Sequence, residues 1–325
     1  MTAPGRIPGQ PSWADLVDHL VAEHGSLAQV ATRLAETRAF REDAESIARA
    51  LRRLRARGAG PGGVWGTRLL ATFGLPRSID ERLRFMGSYH SRFVDLPRSL
   101  GADLVQLWDR PPTSDSRAGR AWLSLARAIL ASRGKDREGT REHLATARAA
   151  GADDPAIAAE LALGEALVAE PEEADRILAG VETILSRIAV GHDADCLRAR
   201  WAGQVAYGAN RRGDVARAEA LHRALPDAPT TAPFARSRRA NGLAYAANER
   251  GDRDEARRQA WLAARYAGDA GHVRLRAMAL LMVARVTPDD AEALEARGRA
   301  RAIATALEDA VLAARCEASE RDRGA

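Results

Sequence analysis

Ala206 to Asp214 reads Ala-Tyr-Gly-Ala-Asn-Arg-Arg-Gly-Asp, and 38 residues further on Ala244 to Asp252 reads Ala-Tyr-Ala-Ala-Asn-Glu-Arg-Gly-Asp. The two copies agree at seven of nine positions. A stack of like units leaves this signature, because each unit must offer the same faces to its neighbours. Both copies end on Gly-Asp. Glycine takes left-handed backbone without steric cost, and aspartate caps the next helix. The motif therefore asks for helical hairpins, each turning at a Gly-Asp step and stacked side by side.

Composition agrees with that demand. Hydrophobic residues make up 46% of the 325 and aromatics only 5%, and alanine dominates the apolar set. Alanine is the best helix former and a poor strand residue, so the fold class expected is all-α. No run of 18 apolar residues occurs, and Met1 to Pro11 lacks an apolar signal core. The chain reads as soluble and cytoplasmic, with no membrane partner. Cys196 and Cys316 are too few and too far apart for a disulfide framework and read as reduced structural residues.

Breaks in the pattern divide the chain. Residues 1–11, with Pro4, Pro8 and Pro11, read as a disordered leader. Residues 12–75 hold three short amphipathic helices, started by Ser12, Ser26 and the region of Glu42, plus a fourth carrying Trp65, Leu69, Leu70 and Phe73. Residues 76–113 form a helical bridge that ends at Pro111-Pro112, where paired prolines stop a helix. Residues 114–312 carry about five hairpins, and 313–325 reads as a charged tail.

Ala240, Leu243, Ala244, Gly251-Asp252 and Ala256, with the earlier set Ala202, Val205, Ala206, Gly213-Asp214 and Ala218, follow the small-residue and Gly-Asp signature of tetratricopeptide repeats. The array resembles that family, and the resemblance implies an α-solenoid whose first helices line a concave groove. The period of 38 is longer than the family's usual 34 or so.

The chain has three asparagines: Asn210 and Asn248 in the motif, and Asn241 just before its second copy. Arg238, Asn241, Tyr245 and Asn248 share one helix face, and Arg200, Gly203, Tyr207 and Asn210 repeat that spacing. On the resemblance this stripe faces the groove, extended by Arg211 and, toward the N-terminal end, by Arg120 and Arg127. Amides match a peptide backbone, arginines capture carboxylates, and tyrosines supply stiff contact area. The partner expected is a peptide or protein segment, with no cofactor. The bland alternative is that Asn210 and Asn248 serve helix ends and the tyrosines pack between repeats.

Residues 12–75 resemble a helix-turn-helix domain in size and order. Arg49, Arg52 and Arg53, with Arg55 and Arg57, crowd the face of the third helix opposite Ile47, Leu51 and Leu54, a density suited to phosphate contact. A solvated face or a protein-docking cap fits the same residues. Helix-turn-helix followed by tetratricopeptide repeats is similar to peptide-responsive transcriptional regulators, which implies DNA as a second partner. Oligomeric state is left open.

No nucleophile elbow, lysine-bearing phosphate loop or zinc-protease motif occurs, so no catalysis is expected. His192, Asp193, Asp195 and Cys196 are the one dense set of metal-ligand residue types. They read as a polar inter-helix turn, with no metal. Tyr89-His90-Ser91 reads as buried packing.

Overall fold

The computed structural model of the protein describes residues 11–37, 42–151 and 153–324. The described residues form seventeen α-helices and one short 3-10 helix, with no strand among them. Neighbouring helices pack in sequence order, the arrangement of an α-solenoid. None of them is long and apolar enough to cross a membrane. The expected leader at 1–10 lies outside the described residues.

Helices α1 (Trp13–His24), α2 (Leu27–Glu36) and α3 (Ala44–Arg55) form the N-terminal unit, followed by α4 (Gly63–Phe73). Ser12 and Ser26 cap as expected, accepting from the N–H of Asp15 and Gln29. The third helix is capped by Asp43 rather than starting at Glu42, since the Asp43 carboxylate accepts from the Ser46 N–H. Trp13 lies at the centre of the unit. Its indole N–H donates to Gly60 O at 2.8 Å, and a Cβ at Gly62 or Gly66 would fall within 2.6 Å of the ring.

The bridge comprises α5 (Arg77–Gly87), a 3-10 turn at Arg92–Asp95 and α6 (Arg98–Trp108). Five hairpins follow: α7 (Arg117–Arg133) with α8 (Arg137–Ala149), α9 (Pro155–Val168) with α10 (Pro171–Leu185), α11 (His192–Arg211) with α12 (Val215–Arg223), α13 (Pro233–Glu249) with α14 (Arg253–Asp269), and α15 (Val273–Val286) with α16 (Asp290–Ala306). The expected charged tail is instead most of a further helix, α17 (Ala310–Gly324). Its charged residues alternate with Leu312 and Cys316, which are buried and hold it on the array.

The repeated motif has a physical reading. Gly213 (φ 79°) and Gly251 (φ 80°) are left-handed, the N–H of Asp214 and Asp252 donate back to Ala209 O and Ala247 O, and each aspartate then caps the next helix. One residue pair thus ends one helix and starts another. Lys135-Asp136 and Glu308-Asp309 build the same turn with a non-glycine at positive φ (62° and 52°). Between α13 and α14 the packing is nearly all alanine: Ala240, Ala244, Ala256, Ala260 and Ala263 are at most 1% exposed. Small side chains let the two helices approach closely.

Candidate functional site

The bridge does not stay outside the array. Gly87 ends α5 against Trp122 of α7, where a Cβ would sit 2.5 Å from the ring and 2.7 Å from the Trp122 carbonyl oxygen. From there Ser88 to Leu96 cross the interior of the solenoid. The Tyr89 N–H donates to Glu160 of α9, Arg274 of α15 donates to the Tyr89 hydroxyl at 2.6 Å, and the Arg274 N–H donates to Asp95. The chain then meets the far end of the array. The Arg98 N–H donates to Leu307 O, and Ser99 donates through its N–H and hydroxyl to Glu308. First and last hairpins are joined through the bridge.

Arginines converge on Tyr89. The Arg200 guanidinium lies 4.7 Å from its ring centroid and that of Arg274 5.5 Å away, while Arg238 and Arg315 add positive charge to the same surroundings. Burial opposes ionisation of the Tyr89 hydroxyl, yet Arg274, Arg238, Arg200 and Arg315 together bring its pKa below the ordinary tyrosine value. Arg200 and Arg238 occupy the same place in successive repeats, so the repeat itself aims both inward.

Counter-charges are unevenly shared. Arg200 pairs with Glu160 at 2.5 Å. Burial would raise the Glu160 pKa, but Arg200 and His90 hold it below the usual value. Asp309 serves two guanidiniums at once, Arg274 at 2.6 Å and Arg133 at 3.2 Å. Burial is again outweighed and the Asp309 carboxyl lies low. Arg238 pairs with no acid among the described residues, and its Nε is buried without a hydrogen bond. Burial above all, with Arg200, Arg315 and Arg274, pulls its pKa down to about 10 against the opposing influence of Tyr89. Its guanidinium lies over α11 at Gly203, where a Cβ would stand 2.7 Å from Nη2. A buried, uncompensated cation is costly unless an anion meets it.

The stripe read from the sequence is brought together in part. Asn241 and Asn210 each bury a side-chain oxygen without a hydrogen-bond partner, a common sign of a missing donor. Asn248 is half-buried, and its backbone carbonyl accepts from Gly251 in the turn. The tyrosines differ: Tyr207 is 65% exposed, whereas Tyr245 packs on the α15–α16 core with Arg285 over its ring at 5.1 Å. Arg211 is exposed at the end of α11. Arg120 and Arg127 do not join Arg200 and Arg238. Arg120 bonds the carbonyls of Ser114 and Asp115, and Arg127 pairs with Asp109 at 2.5 Å, both on their own turn. Trp122 and Arg133 face the interior from α7 in their place.

Tyr89, Glu160, Arg133, Arg274 and Asp309 were not legible as site residues, because contacts spanning 35 to 185 residues join them. Tyr89-His90 is a polar hub as well as packing. His192 to Cys196 are no inter-helix turn but the first turn of α11, beside His90.

On α3, Arg49 is exposed and paired with Glu45, while Arg52 and Arg53 are exposed with no ion pair to another described residue. Arg55 pairs with Asp18, and Arg57 bonds the carbonyls of Pro61 and Gly62. Most of the residues between α2 and α3, 38–41, lie outside the described set. No protein-family model and no curated protein matches the sequence.

Proposed function

We propose that the protein is a helical-repeat binding protein that takes an anionic segment, a peptide or protein stretch bearing a carboxylate, against the arginine-lined interior of α11, α13 and α15. The observation that carries this reading is Arg238, a cation without an acid partner among the described residues, on the stripe whose Asn210 and Asn241 bury side-chain oxygens without donors. Guanidinium meets carboxylate in two parallel bonds, and a peptide N–H supplies what an asparagine oxygen lacks. The tetratricopeptide likeness supports the same face as the binding face, and the bridge residues Ser88 to Leu96 shorten the space open to a ligand.

The reading is tested by selecting immobilised random peptides on the purified protein. Acidic sequences with free C-termini should be enriched over amidated ones, and Asn241→Ala with Asn248→Ala should weaken the selected peptide by about 2 to 4 kcal/mol at unchanged melting temperature. Loss of melting temperature with affinity intact would make the asparagines structural instead.

A second reading rests on Arg52 and Arg53, on an exposed helix face without an ion pair to another described residue. Here α3 contacts DNA phosphates and the array regulates it. Genomic fragments should then be retarded at about 50 mM salt, and charge reversal at Arg49, Arg52 and Arg53 should abolish retardation. Unretarded fragments, with or without the selected peptide, leave the N-terminal helices as a docking unit.

A further inference from the structure

The bridge and α11 meet at a second cluster, on the other side of Glu160 from the arginines. His192 and Cys196 are four residues apart in the first turn of α11, which puts them on one face with Nε2 3.7 Å from Sγ. His90 arrives from the bridge, and its ring nitrogen, the His192 nitrogen and the Cys196 sulfur all lie within 4.8 Å of one another. Asp193 adds an oxygen 3.2 Å from His90 Nε2.

Those separations match a known polyhedron. Zinc bonds nitrogen and oxygen at about 2.0–2.2 Å and sulfur at about 2.3 Å, so the edges of its tetrahedron measure roughly 3.3–3.6 Å. The 3.7 Å edge between His192 and Cys196 falls close to that range, and small side-chain rotations close the edges to His90. We propose that His90, His192 and Cys196 form a site for a divalent transition metal ion of the zinc class, stapling the bridge to α11, with the fourth position left to solvent.

The surroundings favour a metal over a chance meeting of polar groups. Glu160 Oε1 lies 3.3 Å from His90 Nδ1, the far nitrogen, and Arg200 and the Tyr89 N–H hold that carboxylate in place. Phe234 packs edge-on to the His90 ring at 6.1 Å and excludes water from one side. Cys196 is fully buried whereas His192 is exposed, so the cluster is open to solvent along a single edge. One thiolate and two imidazoles suit zinc or cobalt and not magnesium or calcium. When the metal–sulfur bond forms, the thiol proton leaves to solvent. With three protein ligands one corner of the tetrahedron is left to solvent, and the site goes beyond the anion-binding reading without depending on it.

The test is titration of reduced, chelator-treated protein with Co2+. About one equivalent should produce thiolate-to-cobalt charge-transfer absorption and the intense visible bands of tetrahedral cobalt, and Zn2+ should displace both. Cys196→Ala should lose the charge-transfer band and Cys316→Ala should keep it. Because Cys196 is a core residue, His192→Ala serves as the second variant. It is exposed, should keep the far-ultraviolet circular dichroism of the parent, and should lose the tetrahedral bands. Only the weak spectrum of octahedral cobalt in the parent, or a charge-transfer band that survives Cys196→Ala, overturns the site.

Discussion

Two groups of arginines make opposite use of one side chain. Arg49, Arg52 and Arg53 stand on the outer face of α3 in water, where a guanidinium costs nothing to keep and contributes little. Arg133, Arg200 and Arg274 are buried inside the solenoid and Arg238 is half-buried with its Nε enclosed, so each must be matched or leave the fold strained. The sequence holds 49 basic residues, all arginine but Lys135. Abundance therefore carries no functional message; the environment of each arginine does.

The sharpest test of that contrast is Asp309, the carboxylate shared by Arg133 and Arg274. Asp309→Ala leaves two buried guanidiniums without their acid and removes the cap on Leu312. It should cost about 3–5 kcal/mol in urea unfolding, whereas Arg52→Ala and Arg53→Ala should stay within about 0.5 kcal/mol. Equal effects at the two places would erase the distinction.

Next in size is a pH effect. His222 is buried against Gly242, and burial first, then Arg238 and Arg239, depresses its pKa to about 4. A base depressed in the folded state is protonated more readily in the unfolded one. Stability should therefore fall as pH drops from the unfolded value of 6.5 toward about 4. About 2 kcal/mol should be lost between pH 7 and pH 5. Chemical denaturation at the two pH values checks this, and His222→Gln should flatten the difference.

The sequence and the structure agree where the physics is local. Gly213-Asp214 and Gly251-Asp252 act through hydrogen bonds within five residues, so their spacing revealed hairpins and register. The same register gives Arg200 and Arg238 equivalent places in successive repeats. What was hidden is what register cannot encode: that Ser88 to Leu96 return through the interior, that Asp309 faces Arg133, and that Arg120 and Arg127 are held by their own turn. The charge pattern of 313–324 concealed a helix because Leu312 and Cys316 are too few to reveal its buried face.

The central claim is that Arg238, a half-buried cation with no acid partner among the described residues, is kept for an incoming anion. It is tested most directly by the unfolding free energy of Arg238→Met measured without added peptide. Methionine keeps an apolar stem and removes the charged group that lies over Phe234 and Gly203. The account predicts a protein as stable as the parent or more so, by up to about 1–3 kcal/mol, that no longer binds the selected acidic peptide. A variant several kcal/mol less stable that still binds the peptide would mean that Arg238 already has its partner within the fold, and the claim would be wrong.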